Sequence, residues 1–533
     1  MRTSCSQIPR RIVMPSNEQL SFDCVVIGSG HAGSCAALSA VQFGCKKVLV
    51  TDKCPPEWAG GNGLFTAGTM RTAHGGLKDL APLVCNAPPE IMEKIDLDAY
   101  SAEEFRADID RLGQGQADPH LVEAVVRGSR DAVQWLSQSV RVPFILSFHR
   151  QAYEVDGRRK FWGGMALAVQ DGGKGLIRAH HERLREAGVE LRYESAAVEL
   201  LTDGDRGISG VVLRSRDGTD VRVSTPSVVL ACGGFEASPD LRAKYLGERW
   251  AHARIRGTPY NTGDALGLAE GVGAKLTGDF AGCHSTTWDA HASLSAGDLA
   301  LTNAYTKSGY PLGIMVNAHG ERFVDEGEDF RNYTYAKFGR AILEQPESIA
   351  FQVFDARMTP KLRQEEYGDD IVRKVTANSI EELANQLVAQ GLKDKRKFVE
   401  TVETFNKAVR LHQAEHRERA LDIAVKDGMA TQSSQMSLSV PKTNWASALE
   451  VPPFVSVAVT CGITFTFGGL AVDPETSGVM SKAGAGPIRG LFATGEAVGG
   501  LFYNNYPGGS GLTAGAVLGR KAGRYAAERA KLA

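Results

Sequence analysis

The stretch Cys24-Val25-Val26-Ile27-Gly28-Ser29-Gly30-His31-Ala32-Gly33 decides how this chain is read. A short apolar run rich in β-branched residues ends in a glycine turn, which predicts a buried strand. Ala32 to Phe43 follows as a run of mostly small and apolar residues closed by Gly44, a predicted helix. Lys47 to Val50 then reads as a second buried strand. Strand, helix and strand within roughly thirty residues make the β-α-β unit of a parallel sheet.

The glycines sit where a nucleotide requires them. In Gly28-x-Gly30-x-x-Gly33 the first permits a tight turn, the second lets backbone approach a pyrophosphate, and the third lets helix pack close to strand. The helix start offers free amides and the positive end of a dipole to the phosphates. Ser29, His31 and Ala32 lie inside this turn and join the candidate contacts. Asp52, at the end of the second strand, is positioned to accept hydrogen bonds from ribose hydroxyls and disfavours a 2′-phosphate. Only one such fingerprint occurs, and a glycine-rich entry into a helix, Gly508 to Ala522, closes the chain. That combination implies a single FAD held by both ends of the polypeptide, rather than a flavin with a separate nicotinamide.

Working outward, Leu176 to Glu186 predicts a helix. Val189 to Tyr193, Ala197 to Leu201, Gly210 to Arg214, Val221 to Val223 and Ser227 to Ala231 predict strands, with turn pairs such as Asp217-Gly218 between them. After Phe235 the composition becomes more charged. Ser379 and Glu382 open a capped helix. Lys395 to Gln413 predicts an amphipathic helix with Phe398, Val402, Phe405 and Val409 on one face. Val455 to Val459 and Gly462 to Phe467 return to strands. The fold class expected is α/β: a discontinuous Rossmann-like FAD-binding domain with an inserted α+β substrate-capping domain. The expected boundaries are a flexible N-terminus over 1–20, FAD-binding parts at 21–236 and 445–533, and a cap at 237–444.

Composition excludes several classes. Of 533 residues 43% are apolar and 23% charged, which suits a globular chain and not a disordered one or a coiled coil. A net charge of −2 provides no global basic field for nucleic acid. No apolar run is long enough to span a membrane. Nine cysteines, none in Cys-x-x-Cys spacing, argue against a disulfide framework, a zinc site or an iron–sulfur cluster, and suit a reducing, cytoplasmic compartment. Met1 to Asn17 carries three arginines, three serines and no acidic residue, which resembles a mitochondrial presequence, although Pro9 and Pro15 interrupt any helix there. Import is therefore the alternative to a cytoplasmic location.

Further segments carry a family resemblance. Asp23 to Lys53 with Trp58-Ala59-Gly60-Gly61-Asn62, Val228 to Phe235, Thr262-Gly263-Asp264-Ala265, Thr466-Phe467-Gly468-Gly469 and Gly490 to Glu496 resemble the flavoprotein family of fumarate reductase and succinate dehydrogenase. Pro311 to Tyr335 and Phe502 to Leu512 look most like its tricarballylate dehydrogenase branch, to which the flavoprotein part of a precorrin-3B synthase is similar. Tyr506-Pro507-Gly508 also resembles 3-ketosteroid dehydrogenases. The resemblance implies FAD contacts from Gly28 to Gly33, Asp52, Lys53, Gly60, Gly61, Asn62, Ala197, Ala231, Gly233, Asp264, Glu496, Ser510, Gly511 and Leu512. It implies that the helix starting at Ser510 turns its amides toward the flavin edge that gains negative charge on reduction. No histidine lies between Thr51 and Asn62, so the cofactor is expected to be non-covalent.

The resemblance also assigns chemistry. An arginine of the inserted domain handles the proton in this family, and Arg331 is the matching position. Free arginine ionises above ~12, so it serves only in a site that perturbs it. The alternative is a surface arginine paired with Asp325, Glu326, Glu328 or Asp329. Departures matter as well. Thr464 stands where family fumarate reductases have a histidine, Tyr506 stands where they have a carboxylate-binding arginine, and their Thr-Glu-x-x-Arg relay is not recognisable near Tyr305 to Gly309. Tyr506 is then a candidate phenol donor. Arg71, His74, His284 and Thr466 are candidate substrate contacts, with a core role as the alternative for each histidine. The expected function is an FAD-dependent oxidoreductase that adds or removes hydrogen across a C–C bond next to a carboxylate or ketone. A tricarballylate-like polycarboxylate is the favoured substrate, and a steroid-like or secondary-metabolite ketone is the rival. An external electron acceptor or donor, such as an iron–sulfur or haem protein, is the expected partner. A non-catalytic flavin electron-transfer subunit is the reading from another class.

Overall fold

The computed structural model describes residues 20–533 apart from 156, 162, 205 and 206. The readings of Met1 to Asn17, a flexible start and an import signal, lie outside the described residues. In chain order the elements that frame the site are β1 (Cys24–Ile27), α1 (His31–Gln42), β2 (Val48–Thr51), α2 (Gly172–Glu186), β3 (Glu190–Arg192), β4 (Val228–Leu230), β5 (Cys283–Asp289), α3 (Arg331–Thr334), α4 (Gln364–Tyr367), α5 (Lys395–Glu415), β6 (Phe454–Thr466), β7 (Pro487–Ala493) and α6 (Ser510–Lys531).

The predicted β-α-β unit is present. β7, β4, β1, β2 and β3 lie side by side in parallel, with Gly478–Met480 antiparallel on the outer edge of β7. Every residue of β1 is buried, as a central parallel strand covered on both faces requires. The two chain ends meet through glycine. A Cβ at Gly519 would stand 2.7 Å from the Ala32 carbonyl oxygen, and one at Gly523 would stand 2.1 Å from that of Ala36. α6 therefore lies almost backbone to backbone on α1, and both helices open on the same side of the sheet. A second, antiparallel sheet is built from Ser195–Thr202, Ile208–Ser215 and Asp220–Ser224, with Leu20–Ser21 added in parallel. Leu20, the last residue of the segment expected to be flexible, is thus part of a strand.

The insert has its own sheet, and its longest strand overturns one expectation. The two strands expected at Val455 to Val459 and Gly462 to Phe467 are a single strand of 13 residues, β6. Thr460 and Cys461, which would have formed the break, pair with Trp288 and Thr287 of β5, so the ladder continues through them. β6 also pairs with Ala350–Phe354, Lys374–Ala377 and Arg254–Ile255. By this pairing it joins the sheet that holds β5 and Ala350–Phe354. α5 buries Phe398, Val402, Phe405 and Val409 against Ile314, Phe351 and Ala458 of that sheet, the face its 3.6-residue period predicted.

Candidate active site

One cavity of about 240 Å³ runs from the glycine turn after β1 to the underside of the insert. At its first end Gly28 has φ +111°, and a Cβ there would stand 2.3 Å from the Ala231 carbonyl oxygen. Only glycine fits. A Cβ on Gly33 would stand 2.1 Å from the Gly28 carbonyl oxygen, which locks α1 against the turn. Gly28, Gly30, His31, Ala32, Ala197, Ala231 and Gly233 line this end. Ser29 and Gly33 stand behind the wall. Ser29 donates its backbone N–H and its hydroxyl to Asp52 Oδ2, at 2.8 and 2.7 Å, and so holds that carboxylate at the cavity edge. Lys53 pairs with Asp264 at 2.6 Å, and both line the cavity, as do Gly60, Gly61 and Asn62.

The two helix starts are tied together by a histidine. His31 Nε2–H donates to the Leu512 carbonyl at 2.9 Å, which leaves Nδ1 to accept from His180 Nε2 at 2.8 Å. Burial lowers His31 to about 4 and lowers His180 too, so this neutral pairing persists at physiological pH. Gly511 and Leu512 of the first turn of α6 line the cavity. Ser510 does not, because its hydroxyl donates to the Pro507 carbonyl at 2.6 Å. Space free of side chains at Gly61, two glycine-entered helix starts and a fixed acid at Asp52 fit an extended dinucleotide. Asn62 and Glu496 line the wall nearer the insert.

The far end of the cavity belongs to the insert. Arg331 starts α3 and lines it, and its Nη1 is 3.5 Å from Ser308 Oγ. Ser308 donates its N–H and hydroxyl to Glu366 Oε2 at 2.9 and 2.6 Å, and Arg363 Nη1 donates to Glu366 Oε1 at 3.2 Å. Ser308, Glu366 and Arg363 all line the cavity. The four acids expected as alternative partners of Arg331 have other partners: Asp325 accepts the Gly327 and Thr443 N–H groups, Glu326 pairs with Arg322, Glu328 with Lys337, and Asp329 with Arg111 and Lys426. Tyr506 lines the cavity with its hydroxyl 2.9 Å from that of Tyr335, and burial beside Tyr335 holds it well above the ordinary phenol range. His284 stands edge-on to both tyrosine rings, at 5.0 and 5.3 Å between centroids. It is buried, neither ring nitrogen has a hydrogen-bond partner, and burial keeps it neutral.

Three expected substrate contacts lie off the cavity. Arg71 is wholly buried and donates to the Gly508 carbonyl, Tyr100 Oη and Asp108 Oδ2 at 2.9, 2.9 and 3.2 Å, so its charge is already compensated. His74 packs on Tyr100 and accepts the Gly76 N–H at 3.1 Å. Thr466 donates its N–H and hydroxyl to Glu496 Oε1 at 2.7 and 3.0 Å, so it positions a carboxyl rather than a substrate. Conversely, Arg256, Ser308, Tyr335, Arg363 and Glu366 line the cavity although none of them was a candidate site residue. Arg363, just before α4, and Glu366 within it stand at i and i+3, a readable spacing. Arg256 and Ser308 had no local signal.

Comparison with known proteins adds a family. Residues 23–512 match the model of the FAD binding domain. The chain is 27% identical over 526 residues to an NADH:fumarate oxidoreductase of Klebsiella pneumoniae, covering 96% of this chain and 48% of that one. It is 28% identical over 519 residues to a probable fumarate reductase of Shewanella frigidimarina, covering 95% and 75%. This chain therefore spans about half the length of the first relative. Among solved structures, the open conformation of a flavocytochrome c3 fumarate reductase superposes with a TM-score of 0.70 at 25% identity, over 97% of this chain and 79% of that one. Among the described residues no helix is long and apolar enough to cross a membrane.

Proposed function

Because this chain belongs to the FAD binding domain family, matched over residues 23–512, we propose that it is an FAD-dependent oxidoreductase of fumarate reductase type that adds or removes hydrogen across a C–C bond next to a carboxylate or ketone, a tricarballylate-like polycarboxylate being the favoured substrate. Gly28, Gly30, Gly60, Gly61 and the starts of α1 and α6 would hold the pyrophosphate and flavin, Asp52 the ribose. Bound FAD supplies hydride transfer.

The protein then has to handle a proton and orient the substrate. The observation that carries the reading is the position of Arg331, on the same cavity as the glycine turn and connected through Ser308 to the Glu366–Arg363 pair. Arg331 delivers or removes the proton at the substrate carbon. Glu366 carries it onward to Arg363, which is only partly buried and provides an outlet. The family relay is missing from Tyr305 to Gly309, and α4 fills that place from a later segment. Tyr506 donates its phenol O–H to a developing negative oxygen. The Tyr335–Tyr506 pair equally supports a second reading, a ketone substrate polarised by two phenols. Electrons come from or go to an external carrier, a haem or iron–sulfur protein being the candidate class.

The deciding experiment is anaerobic absorbance of the FAD holoenzyme against tricarballylate, succinate and cyclic enones or ketones. Bleaching by tricarballylate supports the favoured substrate, and bleaching by cyclic ketones alone supports the second reading. No bleaching by any of them, and no reoxidation of the reduced enzyme by the unsaturated partners, overturns the reaction class.

A further inference from the structure

Arg256 follows the short strand Arg254–Ile255, and its backbone N–H donates to the Ile463 carbonyl of β6 at 2.8 Å. Its side chain is buried, at 7% exposure, yet it lines the cavity. Nε donates to Asn303 Oδ1 at 3.1 Å and to Thr306 Oγ1 at 3.2 Å, Nη1 to Thr464 Oγ1 at 3.0 Å, and Nη2 to Asn303 Oδ1. Every one of these acceptors is neutral. A guanidinium has five N–H donors, and Nη1 and Nη2 each retain a second one.

Other buried arginines are treated differently. Arg71 has Asp108 and Arg322 has Glu326. Arg242 lies off the cavity and donates to the Ala251 and Ala253 carbonyls. Arg256 alone of these four faces an open cavity, and it forms no ion pair among the described residues. A buried charge without a counter-ion is costly, and burial weakens its hold on the proton. Such a group is stable as a binding element for an anion, and a guanidinium with two free N–H groups suits a carboxylate.

The departure at Thr464 completes the argument. Its hydroxyl donates to the Arg256 carbonyl at 2.7 Å and accepts Arg256 Nη1. The residue that replaces a histidine therefore fixes both ends of this arginine. His284 lines the same cavity with both ring nitrogens unpartnered.

We propose that Arg256, held by Asn303, Thr306 and Thr464, anchors a substrate carboxylate, with neutral His284 as a second hydrogen-bonding contact to the same molecule. The assignment rests on reading this cavity as the substrate site, and it narrows the substrate to molecules bearing a carboxylate. A neutral ketone would leave Arg256 uncompensated.

The test is the visible difference spectrum of the FAD holoenzyme titrated with tricarballylate, with succinate and with the neutral trimethyl ester of tricarballylate. The acids are expected to bind and the ester is not. Arg256→Gln should raise the Kd for tricarballylate about 10- to 100-fold, the range for losing hydrogen bonds to a charged group. Arg256→Lys should recover part of that loss. Thr464→Val, which keeps the arginine and removes its clamp, should raise Kd by several-fold with FAD content unchanged, so a misfolded Gln variant does not void the test. Equal binding of acid and ester, or wild-type affinity in Arg256→Gln, overturns the anchor. Ketone turnover that is unaffected by Arg256→Gln also overturns it while leaving the oxidoreductase reading intact. Arg256-dependent carboxylate binding without any bleaching upholds the anchor and sinks the reaction instead.

Discussion

Glu236 and Glu496 place two carboxyl groups against each other at the wall between the nucleotide end and the insert. Glu236 is buried, and its Oε1 accepts the side-chain amides of Asn62 and Asn261, each at 2.6 Å. Glu496 shows one side to the cavity, and its Oε1 accepts from Thr466. Burial pushes both carboxyls above the ordinary glutamate range, and the neighbouring charge of Glu236 pushes Glu496 further. The pair therefore holds a proton that isolated glutamates would release.

That pair has a consequence for stability. A carboxyl raised in the folded state binds protons that the unfolded chain has already lost above about pH 4.3, so folding stability falls as pH rises from there. Glu236→Gln removes one charge and relieves the other, so it should flatten that fall. Melting temperatures of wild type and variant between about pH 5 and pH 8 should diverge, with the variant the more stable at the upper end. Parallel curves would show that the two groups do not share a proton.

Arg331→Gln should leave FAD bound and lower kcat by about 10²–10⁴, the usual loss for a general acid or base. Steady-state turnover with an artificial acceptor, alongside the flavin spectrum, measures both. Near-normal turnover would take Arg331 out of the role.

Glu366→Gln tests the onward path. It should lower kcat by roughly 10- to 100-fold and shift the pH–rate profile, while the double variant with Arg331→Gln should lose little more than Arg331→Gln alone, because residues on one path are not additive. Multiplying losses in the double variant would mean that Glu366 acts independently of the arginine.

Tyr506→Phe removes a phenol donor and keeps the ring that packs on Phe465 and Phe502. A kcat lower by about 10²-fold is expected, comparable to loss of one oxyanion donor. Turnover within about twofold of wild type would make Tyr506 a packing residue only.

Gly33→Ala should abolish FAD retention. The new Cβ would be 2.1 Å from the Gly28 carbonyl oxygen, so turn and helix must separate. A destabilisation of about 1–3 kcal/mol is typical of such overpacking. The ratio of FAD to protein after desalting, with a urea titration, reports both. A fully loaded, equally stable variant would show that the turn tolerates what its geometry forbids.

How far the sequence could be read depended on distance along the chain. β1, α1 and β2 were readable because the apolar run, the glycines and Asp52 act on near neighbours. The face of α5 was readable because a helix repeats every 3.6 residues. β6 was divided wrongly because Gly462 interrupts its apolar pattern, and only pairing with β5 keeps that stretch extended. Arg71 and His74 were misplaced for a similar reason. Next to a glycine-rich segment they looked available, but Asp108 arrives from a later helix, and Tyr100 from the loop before it bridges to His74, to bury them.

The sequence by itself determined the nucleotide turn, its acid and the existence of a separate insert, because steric limits on φ and the packing of helix on strand act between adjacent residues. The tertiary structure alone decided how the polar side chains of the cavity are assembled and paired. Arg256, Ser308, Arg331 and Glu366 come from four separate segments, and whether each is paired, buried or open to substrate depends on the long-range contacts that exclude water and supply, or withhold, a counter-charge.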